Sequence, residues 1–538
     1  MRTHTPGALA ALVTAALAPA APADTLTIVA ASGRPAPGLA GVTLDGVDDP
    51  RVDAAGNVVF WARLTGGGVT ASNDTSLWTT RSGVLALLLR EGAAAPGSAD
   101  LIVGLGAPGF TATGGLALTA AVGTGAASSP TTLAHFAERP ALSLLMREGP
   151  GLLSMSPIAA GDWDGAAFRA GDCSAIYSTR AGAAATVVRV NDPAPGTGAK
   201  FLALGHPAQN APGFLAFWAG VGVSGVSEYG VWTDVGGLHA LARTGAQAPG
   251  LPVGTVFAEL DTRPLVDADG GVAFWARLAG PGVGASNDGS VWRFDAGGPA
   301  LVAREGDPAP DMSGATIASL RRTVELADNG RLVFSGALAG AFVSPGDNGA
   351  VWANRPGLGT SLLAREGRQA PGLANRVVYT SLGRPRVSAT GRVAFLASLA
   401  GPGVTMNNSA ALIASDGLNA FRTIVRTGDV VQVAAGDART VSQIVFDQGP
   451  AQSGQTQYGP DGSLVFTLRF TNNTTAVAHA RVALCPADYN SDGFANGDDY
   501  DLFADDFDQG RADADFNGDG FVNGDDLDDF TVVFDAGC

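Results

Sequence analysis

The stretch that decides the fold reads DADGGVAFWARL and runs from Asp267 to Leu278. Acidic residues and two glycines favour a tight turn, and the alternating apolar residues after them favour a strand with one buried face. The same pattern reads DAAGNVVFWARL from Asp53 to Leu64. Further copies lie at Ala327–Leu338, Ser388–Leu399 and Pro460–Phe470, and poorer copies surround Gly114, Gly165 and Gly213. We therefore count eight repeat units.

A second motif, Arg-Glu-Gly, alternates with the first. It occupies residues 90–92, 147–149, 304–306 and 365–367, and weaker copies begin at Arg189, Arg243 and Arg426. From Arg243 onward the copies are 61 residues apart. Each unit reads as four short strands, and four strands repeated at this period are typical of a β-propeller. The fold class that we predict is an all-β repeat body, a seven- or eight-bladed β-propeller, followed by a small α-helical module.

The two ends of the repeat body look incomplete. The first unit begins with the strand at Leu26 to Val29, and the last unit supplies strands at Leu464 to Phe470 and Val477 to Val482. Such an offset lets the first and last strands share one blade, which removes an open sheet edge. A propeller of eight blades is favoured. Seven blades remain an alternative, because only 42 residues separate Arg147 from Arg189.

The repeat body resembles a family of bacterial tandem-repeat proteins named for an N-x-x-G-x-x-A-F motif. The segments Asp269–Phe274 and Gly391–Phe395 carry that resemblance, with Asp or Ala where the motif has Asn. The resemblance implies an architecture and no activity.

Two loops near the C-terminus have a pattern of oxygen ligands. Residues 488–499 read DYNSDGFANGDD and residues 515–526 read DFNGDGFVNGDD. Calcium takes oxygen ligands from positions 1, 3, 5, 7, 9 and 12 of a twelve-residue loop, and Gly at position 6 permits the turn. We therefore predict two calcium ions as cofactors. The predicted ligands are Asp488, Asn490, Asp492, Phe494, Asn496 and Asp499 in the first loop, and Asp515, Asn517, Asp519, Phe521, Asn523 and Asp526 in the second.

A short helical pattern follows each loop. Tyr500, Phe503 and Phe507 have helical spacing, and so do Leu527, Phe530 and Phe534. This duplicated loop and helix resembles a dockerin, a calcium-folded module that docks into a cohesin on another protein. The bracketing Cys485 and Cys538 resemble the GC-type dockerin, and that resemblance implies a disulfide between them. It also implies a cohesin-like or other surface receptor as partner.

Charge is concentrated in this module. Residues 485–538 contain 16 Asp and one Arg, and the preceding chain has 32 basic against 34 acidic residues. A nucleic-acid partner is not expected, because it requires a basic face. Arg2, an apolar run from Ala8 to Ala18 and the small residues 21–23 predict a secretory signal. No later run is apolar for the ~20 residues of a membrane span. The predicted domains are 1–23, 24–484 and 485–538, in a secreted or surface-associated protein.

No catalytic residue is predicted. Glutamates that recur in the Arg-Glu-Gly motif are expected to be structural, since an active site is built once. The unrepeated carboxylates remain weak candidates: Glu138, Glu228, Glu259, Glu325, Asp172 and Asp234. His135, His206, His239 and His479 lack metal-ligand spacing, and Cys173 reads as a small buried residue.

Tryptophan occupies two repeat positions. One position holds Trp61, Trp218 and Trp275, and the other holds Trp78, Trp232, Trp292 and Trp352. Because they repeat, the tryptophans at both positions are expected to lie in the blade core rather than to form a ligand platform. Trp163 lies outside both positions and is the best single candidate for a binding surface.

These features favour a non-catalytic secreted propeller that binds a polysaccharide, protein or envelope component. A glycoside hydrolase or polysaccharide lyase is the alternative, and a purely structural surface protein is a third.

Overall fold

The computed structural model describes most of the chain. The described residues are 25–106, 108–110, 115–123, 132–138, 141–147, 159–160, 166–170, 174–178, 185–210, 212–415, 421–446, 457–482, 487, 489, 497–511, 514–516 and 521–536. The chain divides into two compact units. One unit is Asp24–Val482, and the other contains the residues from Ala483 onward.

Within the described part of the first unit, antiparallel strands form eight sheets, which we number 1 to 8. Sheet 1 has strands β2 (Val42–Val52), β3 (Val58–Gly66), β4 (Thr75–Thr79) and β5 (Ala86–Arg90). Sheet 2 has β6 (Leu101–Leu105), β7 (Gly109–Phe110), β8 (Leu116–Gly123), β9 (Thr132–Glu138) and β10 (Leu142–Arg147). Sheet 3 has β11 (Ala159–Ala160), β12 (Ala166–Ala170), β13 (Ala175–Ser178) and β14 (Ala185–Arg189). Sheet 4 has β15 (Pro193–Ala194), β16 (Ala199–Leu204), β17 (Ala208–Gln209), β18 (Leu215–Gly222), β19 (Glu228–Thr233) and β20 (His239–Arg243).

The second half of the ring is more regular. Sheet 5 has β21 (Val256–Leu260), β22 (Leu265–Val266), β23 (Val272–Ala279), β24 (Gly289–Asp295) and β25 (Gly298–Arg304). Sheet 6 has β26 (Ala315–Leu326), β27 (Leu332–Gly340), β28 (Gly349–Arg355) and β29 (Gly359–Arg365). Sheet 7 has β30 (Val378–Leu382), β31 (Arg386–Val387), β32 (Val393–Ala400), β33 (Ala410–Ser415) and β34 (Phe421–Arg426). Sheet 8 has β35 (Val430–Ala434), β36 (Asp437–Val445), β37 (Ser463–Phe470) and β38 (Thr475–Arg481), together with β1 (Thr25–Ala31).

Each sheet packs on the next through its inner strand, which is the less patterned strand of each repeat. Contacts run from β2 through β7, β11, β17, β22 and β26 to β31. Sheet 7 contacts sheet 8 through β33 and β36, and β37 contacts β2 to complete the circuit. This is a β-propeller, as the sequence predicts. The predicted closure is also present, since β1 pairs antiparallel with β38 and Thr25 lies opposite Arg481.

The Asp-x-x-Gly turns explain why each repeat folds as a hairpin. Asp267 Oδ1 accepts hydrogen bonds from the backbone N–H groups of Asp269 and Gly271 at 3.1 and 2.6 Å. This side chain therefore fixes the turn before the strand begins. Gly270 has a φ of 86°, a conformation that glycine adopts without strain.

Neighbouring turns are also hydrogen-bonded to one another. Asn210 Nδ2 donates to the carbonyl of Asp267, and the backbone N–H of Ala268 donates to the carbonyl of Asp328. Arg392 Nη1 donates to the carbonyl of Val482. The turns thus connect sheet 4 to sheet 5, sheet 5 to sheet 6 and sheet 7 to sheet 8.

The second unit contains two helices, α1 (Gly497–Asp508) and α2 (Gly524–Ala536). They contain the predicted helical patterns, and each helix begins at position 10 of its loop. Phe503 and Phe530 are fully buried, and their rings stack at 3.9 Å with an angle of 5°. Tyr489 and Phe516 pack edge-on against this pair, so aromatic rings form the core of the unit. None of the helices in the described part of the chain is long and apolar enough to cross a membrane.

Candidate functional site

The two tryptophan positions of the repeat have different environments. Trp78, Trp232, Trp292 and Trp352 are all 0% exposed. They form blade core, in agreement with the favoured interpretation. At the other position Trp275 is 5% exposed, whereas Trp61 and Trp218 are only half-buried. Trp163, the favoured surface candidate, lies outside the described residues.

Other side chains cover two of the tryptophans at this second position. Tyr229 stacks on Trp218 with ring centroids 5.0 Å apart and an angle of 17°. The Arg322 guanidinium lies over Trp275, with its carbon 4.6 Å from the ring centroid. Glu259 holds that guanidinium through an ion pair. Both covers come from residues that the repeat motifs do not include.

The corresponding place beside Trp61 is an open cleft of about 340 Å³. The residues at equivalent positions explain the difference. Thr75 in β4 occupies the position that Tyr229 has in β19, because each lies three residues before the buried tryptophan of its strand. In sheet 5, Glu259 lies opposite Arg277, and in sheet 1 the equivalent pair is Gly46 opposite Arg63. Sheet 1 therefore has glycine in place of the glutamate that holds Arg322 in sheet 5. The cleft is lined by Asp45, Gly46, Val47, Asp48, Trp61, Ala62, Arg63, Thr75 and Thr475.

Polar groups surround the tryptophan ring. Asp48 Oδ1 accepts hydrogen bonds from Thr467 Oγ1 at 3.0 Å and from the N–H of Asp49 at 2.9 Å. The Arg63 side chain is 69% exposed, and its Nε lies 3.8 Å from Asp74 Oδ2. Asp45 is exposed. The cleft therefore offers a ring surface, carboxylate oxygens and an exposed guanidinium. Its volume lies at the low end of the range of small-molecule sites.

The repeated Arg-Glu-Gly turn is structural. Glu305 accepts hydrogen bonds from the N–H groups of Gly289 and Leu320 at 2.9 and 2.8 Å, and Glu366 accepts one from Gly349 at 2.8 Å. Arg304 Nε donates to the carbonyl of Asn287 at 2.8 Å. The motif thus fixes the outer strand to the adjacent loop through backbone groups.

The unrepeated carboxylates are engaged as well. Arginine side chains pair with each of the four glutamates: Arg81 with Glu138, Arg243 with Glu228, Arg277 and Arg322 with Glu259, and Arg384 and Arg386 with Glu325. Asp234 Oδ1 accepts a hydrogen bond from the N–H of Leu215 at 2.7 Å. Asp172 and Cys173 lie outside the described residues. The structure does not bring the described candidates together as a pair of free carboxylates.

One carboxylate that sequence reasoning did not select has a strongly altered pKa. Burial raises the pKa of Asp261 to about 6, although hydrogen bonds from the N–H groups of Arg263 and Thr262 oppose the shift. Asp261 lies in the interruption between β21 and β22, on the inner edge of sheet 5. Asp261 belongs to no sequence motif. The signal nearest to it is the bulge in β21, which the sequence does not reveal.

The histidines do not form a metal site in the described part of the chain, where no group of three or more His, Cys, Asp or Glu side chains is placed to hold an ion. His135 Nδ1 contacts Thr119 Oγ1 at 3.1 Å, and His239 Nδ1 contacts the carbonyl of Gly237 at 2.8 Å. Burial lowers the pKa of His479.

The described parts of the two C-terminal loops are compatible with a cation. Asp526 is fully buried, and its two carboxylate oxygens accept hydrogen bonds from the N–H groups of Phe516 and Asn523, both at 2.8 Å. The position-12 carboxylate therefore folds back over its own loop beside positions 2 and 9. Asp499, at position 12 of the first loop, is also fully buried. The predicted ligands Asp488, Asn490, Asp492, Phe494, Asn496, Asn517 and Asp519 lie outside the described residues, as do Cys485 and Cys538.

In the described part of the chain, fold and site define a β-propeller with an open cleft beside Trp61, followed by a small unit of two helices. The chain belongs to a family of unknown function (DUF7453), whose model matches residues 10–152 and 174–486. A search of curated proteins found no match.

Solved propellers are similar at low sequence identity. The Dos1 propeller has a TM-score of 0.37 and 9% identity, covering 81% of this chain and 93% of that one. An oligogalacturonate lyase in complex with manganese has a TM-score of 0.35 and 12% identity, covering 72% and 98%. The propeller domain of the Trilobed protease from Pyrococcus furiosus has a TM-score of 0.34 and 8% identity, covering 81% and 94%. Nothing about ligand or activity follows from similarities at this level.

Proposed function

We propose that the protein is an exported, non-catalytic binding propeller that is displayed or assembled through its C-terminal calcium-dependent module. Its ligand is an extracellular polysaccharide, protein or envelope component. The observation that carries the proposal is the engagement of the candidate acids: the four unrepeated glutamates are all paired with arginine. A carboxylate held in this way is poorly suited to general acid catalysis, since the neighbouring charge stabilises its ionised form.

The calcium part of the proposal rests on the loops. Twelve positions carry oxygen ligands at the required spacing, and buried Asp526 folds over its loop. Bound calcium would supply the positive charge that buried carboxylates need and would stabilise the fold of the unit. A cohesin-like or other surface receptor is the proposed partner of this module.

The test is a comparison of binding and product release with the purified protein in the presence of calcium. We expect retention of at least one insoluble or gel-embedded polysaccharide, with no reducing sugar and no unsaturated product released across a broad panel. Binding without turnover supports the proposal. Release of product from any one polymer contradicts its non-catalytic part.

A carbohydrate-active enzyme is the second candidate, and Asp261 is the observation that favours it. A carboxyl group with a pKa of about 6 is protonated often enough near neutral pH to act as a general acid. If product is released, Asp261→Asn should abolish the release, whereas Asp269→Asn in the neighbouring turn should not. Activity that survives Asp261→Asn excludes this residue as the acid.

A further inference from the structure

The tryptophan position of β3 offers an internal comparison. The same position in sheets 4 and 5 is covered, by Tyr229 on Trp218 and by Arg322 on Trp275. Among the described residues, neither an aromatic ring nor a guanidinium lies over Trp61, and a cleft of about 340 Å³ lies beside it. A partly buried ring that borders an open cleft offers a surface to a ligand.

The rest of Trp61 is well supported. Part of the ring packs against the core cluster between sheets 1 and 2, which includes Leu77, Ile102 and Leu118. Thr475 Oγ1 in β38 accepts a hydrogen bond from the N–H of Val47 at 2.9 Å, so the opposite wall of the cleft is also fixed. The site is therefore rigid before any ligand arrives, which reduces the entropy cost of binding.

The polar groups indicate the chemical class of the ligand. The lining contains two carboxylates, Asp45 and Asp48, and one guanidinium, Arg63, which lies beside Asp74, so the charge that lines the cleft is negative. This charge opposes a uronate or sulfated sugar. An apolar ring surface beside oxygen acceptors and a guanidinium donor suits a pyranose ring, which presents C–H groups on one face and hydroxyl groups at its edge.

We infer that the Trp61 cleft is a binding subsite for a neutral hexopyranose unit of a polysaccharide. Trp61 stacks on the C–H face of the sugar, and Asp48 and Arg63 hydrogen-bond to its hydroxyl groups. This inference rests on the proposed function, because it names the ligand class of the propeller and where that ligand binds.

The test uses the whole protein with calcium present, and isothermal calorimetry with neutral gluco-, manno- and galacto-oligosaccharides and one oligouronate. We expect the wild type to bind at least one neutral oligomer and to bind the oligouronate more weakly. Trp61→Ala should weaken that binding by about tenfold or more, since it removes the stacking surface. Trp218→Ala is the matched control and should leave the affinity unchanged, because Tyr229 already covers Trp218.

A second variant separates binding from folding. Thr75→Tyr reproduces in sheet 1 the cover that Tyr229 provides in sheet 4, so it fills the cleft while Trp61 is kept. We expect loss of oligosaccharide binding with a thermal midpoint close to that of the wild type. The reciprocal change, Tyr229→Thr, should keep wild-type affinity at Trp61.

Failure of this inference and failure of the proposed function would give different results. Wild-type affinity in both Trp61→Ala and Thr75→Tyr would overturn the inference and leave the proposed function standing. Absence of binding by the wild type to every oligomer, together with absence of polysaccharide retention, would overturn the inference and the polysaccharide part of the proposed function. Preference for the oligouronate would overturn the assignment of a neutral sugar.

Discussion

At the scale of single residues, the buried tryptophans show what one hydroxyl group contributes. Trp78 and Trp292 each donate Nε1 to the serine two positions earlier, Ser76 and Ser290, at 2.9 and 2.8 Å. At Trp352 the serine is replaced by Ala350, and Nε1 is buried with no acceptor among the described residues. A buried donor without a partner costs about 1–3 kcal/mol.

We therefore predict that Ala350→Ser stabilises the protein by about 1 kcal/mol. The new hydroxyl should accept from Trp352 Nε1 and donate to the carbonyl of Gly336, its cross-strand neighbour, as Ser290 does to Ala276. Ser290→Ala is the matched control and should lower stability, because it removes the hydrogen-bond acceptor of Trp292 Nε1. Both are measured by chemical unfolding, and equal shifts of the same sign would contradict the explanation.

Individual residues also mark how far the sequence alone can predict the site. Repetition placed Trp78 and its equivalents in the core correctly, since each lies in the same pattern. It also favoured the core for Trp61, and the structure packs that partly buried residue against a core cluster while leaving it beside the cleft. The covering groups in other sheets, Tyr229 and Arg322, come from outside the motifs, so a pattern of tryptophans could not show which one lacks a cover.

At the scale of strands and helices, the repeat motifs predicted the hairpins and missed the bulges. The register shifts by one residue beside the buried tryptophan between the third and outer strands of sheets 1, 4, 5 and 6. A bulge adds twist and changes which face a side chain occupies. Alternating hydrophobicity predicts a strand. It does not show where a bulge inserts an extra residue, because the bulge depends on packing against the next sheet.

The C-terminal helices depend on their loops, and this gives a prediction about metal removal. Asp488→Ala combined with Asp515→Ala should abolish calcium binding and unfold the unit that contains α1 and α2, while the propeller keeps its unfolding midpoint. The first ligand of each loop is lost, and in such small units metal binding is a large part of the folding free energy. Calorimetry measures the binding and helical circular dichroism the folding.

The control removes the same number of negative charges from the two helices instead of from the loops. Asp501 and Asp528 are exposed on α1 and α2. Asp501→Ala combined with Asp528→Ala should keep calcium binding and helix content. Unchanged calcium binding in the Asp488 and Asp515 variant would show that the loops were assigned wrongly.

At the scale of the whole molecule, the ring depends on one pairing between distant parts of the chain. β1 lies against β38, and Ile28 contacts the core cluster of sheets 7 and 8 that includes Phe466 and Ala478. The sequence predicted this closure because the first and last repeats are incomplete. It left the number of blades open, since length alone could not show whether the short unit after Arg147 makes its own sheet.

We predict that Ile28→Asp opens this closure and lowers stability by about 2–4 kcal/mol, because it places a charge in an apolar core and removes a packed side chain. Thr27→Asp, on the exposed face of the same strand, should have little effect. Thermal unfolding and proteolysis of the N-terminal strand measure the difference. Equal stability of the two variants would show that β1 does not hold the ring closed.

The same pairing determines how the propeller responds to mechanical force. Because Thr25 lies opposite Arg481, tension applied between the two chain ends would load one hydrogen-bonded pair at a time and peel β1 away. Tension that enters only through the C-terminal end of β38 and leaves through a ligand bound beside Trp61 takes another route. It passes from β38 into β2 directly and through the paired strand β37, so it does not have to cross the pairing of β1 with β38. A propeller tethered at its C-terminus would therefore resist drag on a captured polymer better than one tethered at both ends.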